Sequence, residues 1–270
     1  MKLEYSLPIL PQPKNTRLST EVTGLDESQQ PITLRIIEEA AWTLYLNAME
    51  IVTVMTIGDY PDLLAVGYLL NQHLLEDVHA ITDIDIDHEL QVVVVRTNDD
   101  ASPALSRRIR TSGCAEGTMF EHVLQNLPKQ NLSANRRLET NVMLNVLKQI
   151  NTTPSLYLEA GAIHGCCLCH EDSIIAYLED VGRHNAAYKI AGLMGTKELK
   201  GGSCWFYTTG RLTTEMVIKT VQMGIPILVS RSGFTAAGVA LAQQSGLTLI
   251  GRARGKRFQL LSHPERIIFS

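Results

Sequence analysis

From about residue 155 the chain alternates short apolar runs with amphipathic stretches, and this alternation restricts the fold more than any other feature of the sequence. SLYLEA, SIIAYLED, SCWFYTTG, PILVSR and LTLIGRAR read as strands. HNAAYKIAGLM, RLTTEMVIKTVQMG and TAAGVALAQQSG read as helices, the last two ending at a glycine that can close a helix in the left-handed region. Strands that alternate with helices predict an α/β unit with a mainly parallel sheet and helices on both faces.

The first part of the chain has a different rhythm. AWTLYLN and EIVTVMTIG predict two strands around a tight turn at Asn47-Ala48. Asp59-Tyr60-Pro61 predicts a helix start, with a capping acid and a proline in the first turn. DLLAVGYLLNQHLL continues that helix, and ITDIDID and ELQVVVVR supply two more strands. The order is a ββαββ roll. The predicted organisation is a loose arm at 1–30, an α+β domain at 31–117 and an α/β domain at 118–270. The small-residue loop RTSGCAEG falls near the second boundary, and TMFEHVLQNL and RRLETNVMLNVLKQI predict two helices after it.

Composition narrows the class. Apolar residues make up 45% of the 270 and charged residues 19%, enough for a large core and too apolar for a disordered chain. A net charge of −4 argues against a dedicated nucleic-acid binder while leaving room for a local basic patch. No apolar run is long enough to span a bilayer, and MKLEYSLPILPQPKN lacks the apolar centre of a signal peptide. Five cysteines, three of them within 166–169, do not form a secreted disulfide pattern. The expectation is a soluble cytoplasmic protein with reduced thiols, bound neither to nucleic acid nor to membrane.

Four features carry chemistry. Cys114 lies in a glycine-flanked polar loop just after Arg107, Arg108 and Arg110, where cations favour a thiolate; the plainer alternative is a spectator at a domain junction. His164, Cys166, Cys167, Cys169 and His170 include a CxxC, but no second pair completes a zinc site, so small thiols packing a sheet compete with a metal or redox role. The stretch from Glu179 to Asn185 is a charged, glycine-containing strand-to-helix turn of the kind that holds anionic ligands at the carboxyl edge of a parallel sheet, or else a capped helix with a surface ion pair. Arg252, Arg254, Lys256 and Arg257 place four cations in six residues, as phosphate ligands or as a solvated hairpin turn. Thr209-Gly210-Arg211 and Ser230-Arg231-Ser232-Gly233 end two other strands, and the convergence predicts one phosphate-rich ligand above the sheet edge. No Walker or GxGxxG pattern is present.

EDVGRHNAAYKIAG, TTGRLTTEMVIKT, GIPILVSRSG and GLTLIGRARGKRF together resemble the formate dehydrogenase accessory sulfurtransferase family, FdhD, from the hairpin near residue 40 to the PERI of 264–267. The resemblance implies a cytidine-deaminase-like α/β domain beside a smaller α+β domain. It implies a homodimeric sulfur carrier. A cysteine desulfurase loads a persulfide on a loop cysteine, and the sulfur passes to the molybdenum (or tungsten) bis-molybdopterin guanine dinucleotide cofactor destined for formate dehydrogenase. Cys114 falls on the first cysteine of the family's SxCGxC-type loop, while the second position is Gly117 here. The family's cofactor-binding stretch falls on Arg252, Ala253, Arg254, Gly255, Lys256 and Arg257.

LEAGAIHGCC departs from the family's usual TGG-x-H pattern, keeping Gly161 and His164. The glutamate that a zinc deaminase needs after its histidine is Cys166 here, and the PCxxC is missing, so neither deamination nor a tightly held metal is expected. Two alternatives stand beside the sulfur carrier. One is a non-catalytic binding module for the guanylated cofactor. The other is a zinc-dependent nucleoside enzyme using His164, Cys166 and Cys169.

Overall fold

The computed structural model describes residues 5–98 and 132–270. From residue 5 on, the segment expected to be a loose arm is structured. Ile9 is buried and bridges to Ala176, and β1 (Ser19–Leu25) pairs with β2 (Pro31–Ile37) as an antiparallel hairpin. Asp26 closes its turn by accepting from the backbone N–H groups of Ser28 and Gln30. Several β-branched residues in each segment favour the ribbon, and the apolar Ile9 and Leu18 anchor it.

The ββαββ order is present. Strands β3 (Ala40–Leu46) and β4 (Met49–Thr56) turn at Asn47, which takes the left-handed φ of 54°. Helix α1 (Pro61–Asn71) then leads to β5 (Ile81–Asp87) and β6 (Val92–Thr97). The sheet order is β4-β3-β6-β5. One face of α1, with Ala65, Val66 and Leu69, packs on Leu44, Leu46, Ile84, Val93 and Val95. Asp59 does not cap this helix: Tyr60 holds the cap position, and Asp59 is drawn away by the ammonium of Lys189.

After the tiny strand β7 (Leu138–Glu139) come α2 (Thr140–Thr152) and α3 (Leu156–Ala160). The predicted strand SLYLEA is thus a helix. Ser155 accepts from the N–H of Leu158 and closes its first turn, an N-cap that outweighs the strand preference of the residues inside it. The helix predicted at TMFEHVLQNL, the boundary at 117/118 and Cys114 itself lie outside the described residues.

A six-stranded sheet organises the rest. It contains β8 (His164–His170), β9 (Ser173–Asp180), β10 (Cys204–Thr208), β11 (Ile227–Ser230), β12 (Thr248–Arg254) and β13 (Arg257–Ser262), in the order β13-β12-β11-β10-β8-β9. The expected mainly parallel sheet is corrected to a mixed one. Only β10–β11 and β11–β12 are parallel, while β8–β9, β8–β10 and β12–β13 are antiparallel. The cause is connection length: Glu171-Asp172 and Gly255-Lys256 are the whole of two links, and two residues can only join antiparallel neighbours. A short parallel pair, β14 (Ile267–Ile268) with β7, ties the C-terminus back beside α2.

Helices cover both faces. On one, α4 (Arg183–Thr196), α5 (Thr214–Gln222) and α6 (Ala236–Gln244) supply Ile190, Leu193, Val217 and Leu241 to a core with Leu168, Phe206, Leu228 and Leu249. On the other, Met143, Val146, Leu147 and Ile150 of α2 pack on Trp205, Tyr207, Val229 and Ile250. The second face of α1 lies against α4. A Cβ on Gly67 would stand 1.8 Å from the Tyr188 carbonyl oxygen, and one on Gly192 would stand 2.0 Å from that of Leu63. The two glycines let the helix backbones touch and so fix the roll against the larger sheet. No helix among the described residues is long and apolar enough to cross a membrane.

Candidate functional site

The parallel strands β10, β11 and β12 run side by side, so the residues after them meet at one edge. That edge is knitted by short polar contacts. Ser230 donates to the Gly210 carbonyl at 2.6 Å and accepts from the Ser232 N–H at 2.9 Å. Arg252 donates its N–H to the Ser232 carbonyl at 2.8 Å. Thr209 accepts from the Gly165 N–H at 3.0 Å, and its hydroxyl lies 3.1 Å from Nδ1 of His164. The turns that end three strands, and the start of β8, are therefore one framework.

Cations crown this framework. Arg231 lies over the Tyr157 ring at 5.2 Å, and Arg254 donates Nε to the Arg231 carbonyl at 3.1 Å. The stem of Arg183 crosses Gly210, where a Cβ would come within 2.8 Å of its Cδ. The guanidinium Nε of Arg183 is buried without a protein partner. Burial, then Arg183, His184 and Arg211, push the His164 pKa below the usual histidine value, so its imidazole is held toward the neutral form. Tyr157, Gly161, Ala162, Ile163, His164, Val181 and Thr209 line an open pocket of about 300 Å³ at the same edge.

The basic run folds as a hairpin end. Arg254 faces Arg257 across a turn in which Gly255 takes a φ of 58°, a conformation glycine adopts without steric cost. Arg252 takes a φ of 51° at a register shift in β12. Arg252, Arg254, Lys256 and Arg257 are exposed, whereas the Ala253 side chain turns into the core, leaving only its main chain for a ligand.

The stretch Glu179 to Asn185 is mostly a buried network. Glu179 accepts from the backbone N–H groups of Leu156 and Tyr157, both at 2.9 Å, and holds the start of α3. Asp180 accepts from Thr56, from Asn185 and from the Gly182 N–H, and pairs with Lys189. Lys189 also binds Asp59 and the Glu179 carbonyl. Burial alone would depress the Lys189 pKa, but Asp180 and Asp59 outweigh it and keep the ammonium charged. His184 instead reaches across to Glu215 at 2.8 Å, joining α4 to α5.

The cysteine cluster is split by the strand that carries it. Cys166 packs in the core on one face of the sheet, and Cys167 and Cys169 pack in the core on the other. Successive strand residues point to opposite faces, so the CxxC pair cannot close on one metal. Among the described residues no group of three His, Cys, Asp or Glu side chains is placed to hold a metal ion. Burial raises the thiol pKa of Cys166 to about 12, those of Cys167 and Cys169 well above the ordinary thiol value, and that of Cys204 in the same direction.

A sequence model of the FdhD/NarQ family matches residues 37–268 of this chain. The chain belongs to the FdhD/NarQ family. Its relatives include proteins named "Sulfur carrier protein FdhD" from Wolinella succinogenes and Sulfurisphaera tokodaii. The first is 27% identical over 235 residues, covering 86% of this chain and 82% of the relative. The second is 29% identical over 208 residues, covering 76% and 79%. A crystal structure of a formate dehydrogenase accessory protein from Desulfotalea psychrophila has the same fold. It superposes with a TM-score of 0.75 at 24% identity over 93% of this chain and 98% of that one.

Within this FdhD/NarQ chain the structure sets Thr209, Arg211, Arg231 and the 252–257 run at one sheet edge, the convergence expected of the three strand ends, and Arg183, from the separate 179–185 stretch, crosses Gly210 beside them. Tyr157 and Lys189 were not among the residues singled out from sequence. Tyr157 lies in a run whose residues favour a strand, although Pro154-Ser155 just before it has the composition of a helix start.

Proposed function

We propose that this chain is a sulfur carrier that takes persulfide sulfur from a cysteine desulfurase on Cys114. It delivers that sulfur to the bis-molybdopterin guanine dinucleotide cofactor, carrying molybdenum or tungsten, of a formate dehydrogenase. The observation that carries the reading is the state of the other thiols. The sequence has five cysteines; four are buried in strands with their pKa values raised, which keeps them protonated and inert. Cys114 is the remaining thiol. The relatives' shared name, sulfur carrier protein, supports the same chemistry.

In the transfer step the Cys114 thiolate attacks the outer sulfur of the donor persulfide. The donor's S–S bond breaks, its thiolate leaves, and a new S–S bond forms on Cys114. The cofactor is the recipient, and its pyrophosphate groups suit the exposed Arg252, Arg254, Lys256 and Arg257, with Arg231 and Arg183 behind them. His164, neutral and fixed through Nδ1 beside Thr209, leaves Nε2 to meet a polar edge of the ligand. A cytidine-deaminase-like ancestry of the six-stranded sheet and a homodimeric assembly belong to this same reading.

The test is maturation. In cells lacking this protein, the wild-type chain restores formate dehydrogenase activity and Cys114→Ala does not, although it accumulates to the same level. Full maturation with Cys114→Ala would instead support a binding module that holds the cofactor without transferring sulfur.

A further inference from the structure

Glu179 is buried to 3% exposure, yet its carboxylate points outward from β9 to the first turn of α3. Both oxygens are used, one on each of two successive backbone N–H groups, those of Leu156 and Tyr157. The second of these residues carries the ring on which Arg231 rests, and the Arg231 carbonyl holds Arg254. Helix α3 has five residues: Ser155 caps it, Leu156 is buried with Leu18, Ile57 and Ile163, and Arg35 of β2 binds Glu159 at 2.6 Å, while the N–H groups of its first two residues are held by Glu179 alone among side-chain carboxylates. A contiguous chain of contacts thus runs from a buried acid to the cationic edge.

We propose that Glu179 is a positioning residue whose charge state sets the Tyr157–Arg231 pair, and through it the affinity of the basic edge for a pyrophosphate-bearing ligand. This rests on the assignment of that edge to phosphates. As a carboxylate Glu179 accepts from both N–H groups. Once protonated, it carries a proton on one oxygen and cannot accept equally at both, so α3 and Tyr157 loosen.

The surroundings place this switch in the neutral range. Burial raises the Glu179 pKa to about 7, against the two N–H groups, which lower it. Asp59 before α1 raises it further and Lys189 of α4 lowers it. Tyr177 of β9 and Cys167 of β8 face it as well, both held in their neutral forms by burial. The sign is diagnostic. Acidification that protonates His164 or His184 adds positive charge near the edge and strengthens anion binding. Protonation of Glu179 also removes a negative charge, but it loosens Tyr157 and Arg231, and in the proposed switch this loss of positioning outweighs the charge effect and weakens binding. A loss of affinity on lowering the pH through about 7 therefore comes from Glu179 and not from the histidines.

The test uses the full-length protein with 4-fluorophenylalanine at position 157, a ring with no titrating group. It is titrated between about pH 6 and 8.5, with and without diguanosine pyrophosphate, a ligand with no terminal phosphate monoester to titrate near pH 6. The expected result is a fluorine resonance that titrates near 7 and an affinity that falls about fivefold on acidification. Both effects vanish in Glu179→Gln. Should Glu179→Gln fail to fold, Tyr157→Leu keeps the acid and its cap but cuts the link to Arg231, and the pH-dependent loss of affinity disappears. A resonance that does not titrate, or that titrates equally in Glu179→Gln, overturns the inference. A resonance that titrates as expected with no ligand bound at any pH overturns the phosphate assignment and the ligand half of the inference with it.

Discussion

The ammonium of Lys189 lies 2.6 Å from the carboxylate of Asp180, and neither side chain has any exposed surface. The same ammonium binds Asp59, which precedes α1. One buried cation thus holds an acid from the end of β9 and an acid from the roll. Lys189→Met removes the cation and leaves Asp180 and Asp59 in a low-dielectric site. The expected loss is about 3–5 kcal/mol of folding stability, read by chemical denaturation. A variant as stable as wild type would mean that the network adds nothing to joining the two sheets.

Thiol accessibility follows from burial. With a water-soluble alkylating reagent near pH 8, the native protein should react quickly at one cysteine, Cys114. The remaining four react only on unfolding, because burial keeps them protonated and out of contact with the reagent. Peptide mapping of the alkylated sites checks this, and fast labelling at Cys166, Cys167 or Cys169 would contradict it.

The basic edge makes an electrostatic prediction. Arg254→Ala combined with Lys256→Ala should weaken binding of a guanosine diphosphate about tenfold at low salt, with the difference shrinking as salt rises. Titration calorimetry at two salt concentrations measures it. Unchanged affinity would move the phosphates toward Arg211 and Arg183, deeper along the same strand ends.

Acid stability has an identified contributor. Glu215, hydrogen-bonded to His184, has its pKa lowered from 4.5 to about 2. A carboxyl with a depressed folded pKa stabilises the fold above its unfolded value and loses that contribution as pH falls through the folded one. The window is therefore from about 4.5 down to about 2. Glu215 is partly exposed, so the effect is screened and modest. Glu215→Gln should flatten the decline of melting temperature across that window and lower stability slightly at pH 7; an unaltered decline would assign it to other carboxylates.

Much of this architecture is legible in the residues. The ββαββ order follows from the two-residue turn at Asn47 and from the alternation of ITDIDID, which depend only on local sequence. The cluster of arginines at the strand ends is legible because parallel neighbours place like positions together. Other features are not. Strand β8 is built of His, Gly and Cys rather than β-branched residues, so its hairpin with β9 is not signalled by composition, and a parallel sheet is the expectation where hairpins make a mixed one. Asp59 reads as a helix cap because the lysine that claims it is 130 residues away. The arm at 1–30 reads as loose because Ile9 and Leu18 find their burial only against residues far along the chain.

The central claim is that sulfur travels on Cys114. The most direct test incubates the protein with a cysteine desulfurase and cysteine, without reductant, and maps added sulfur by intact-protein and peptide mass spectrometry. One added sulfur atom on the Cys114 peptide, absent in Cys114→Ala, is the predicted result. Sulfur mapped to the Cys166–Cys169 peptide, or loading undiminished in Cys114→Ala, would contradict the account.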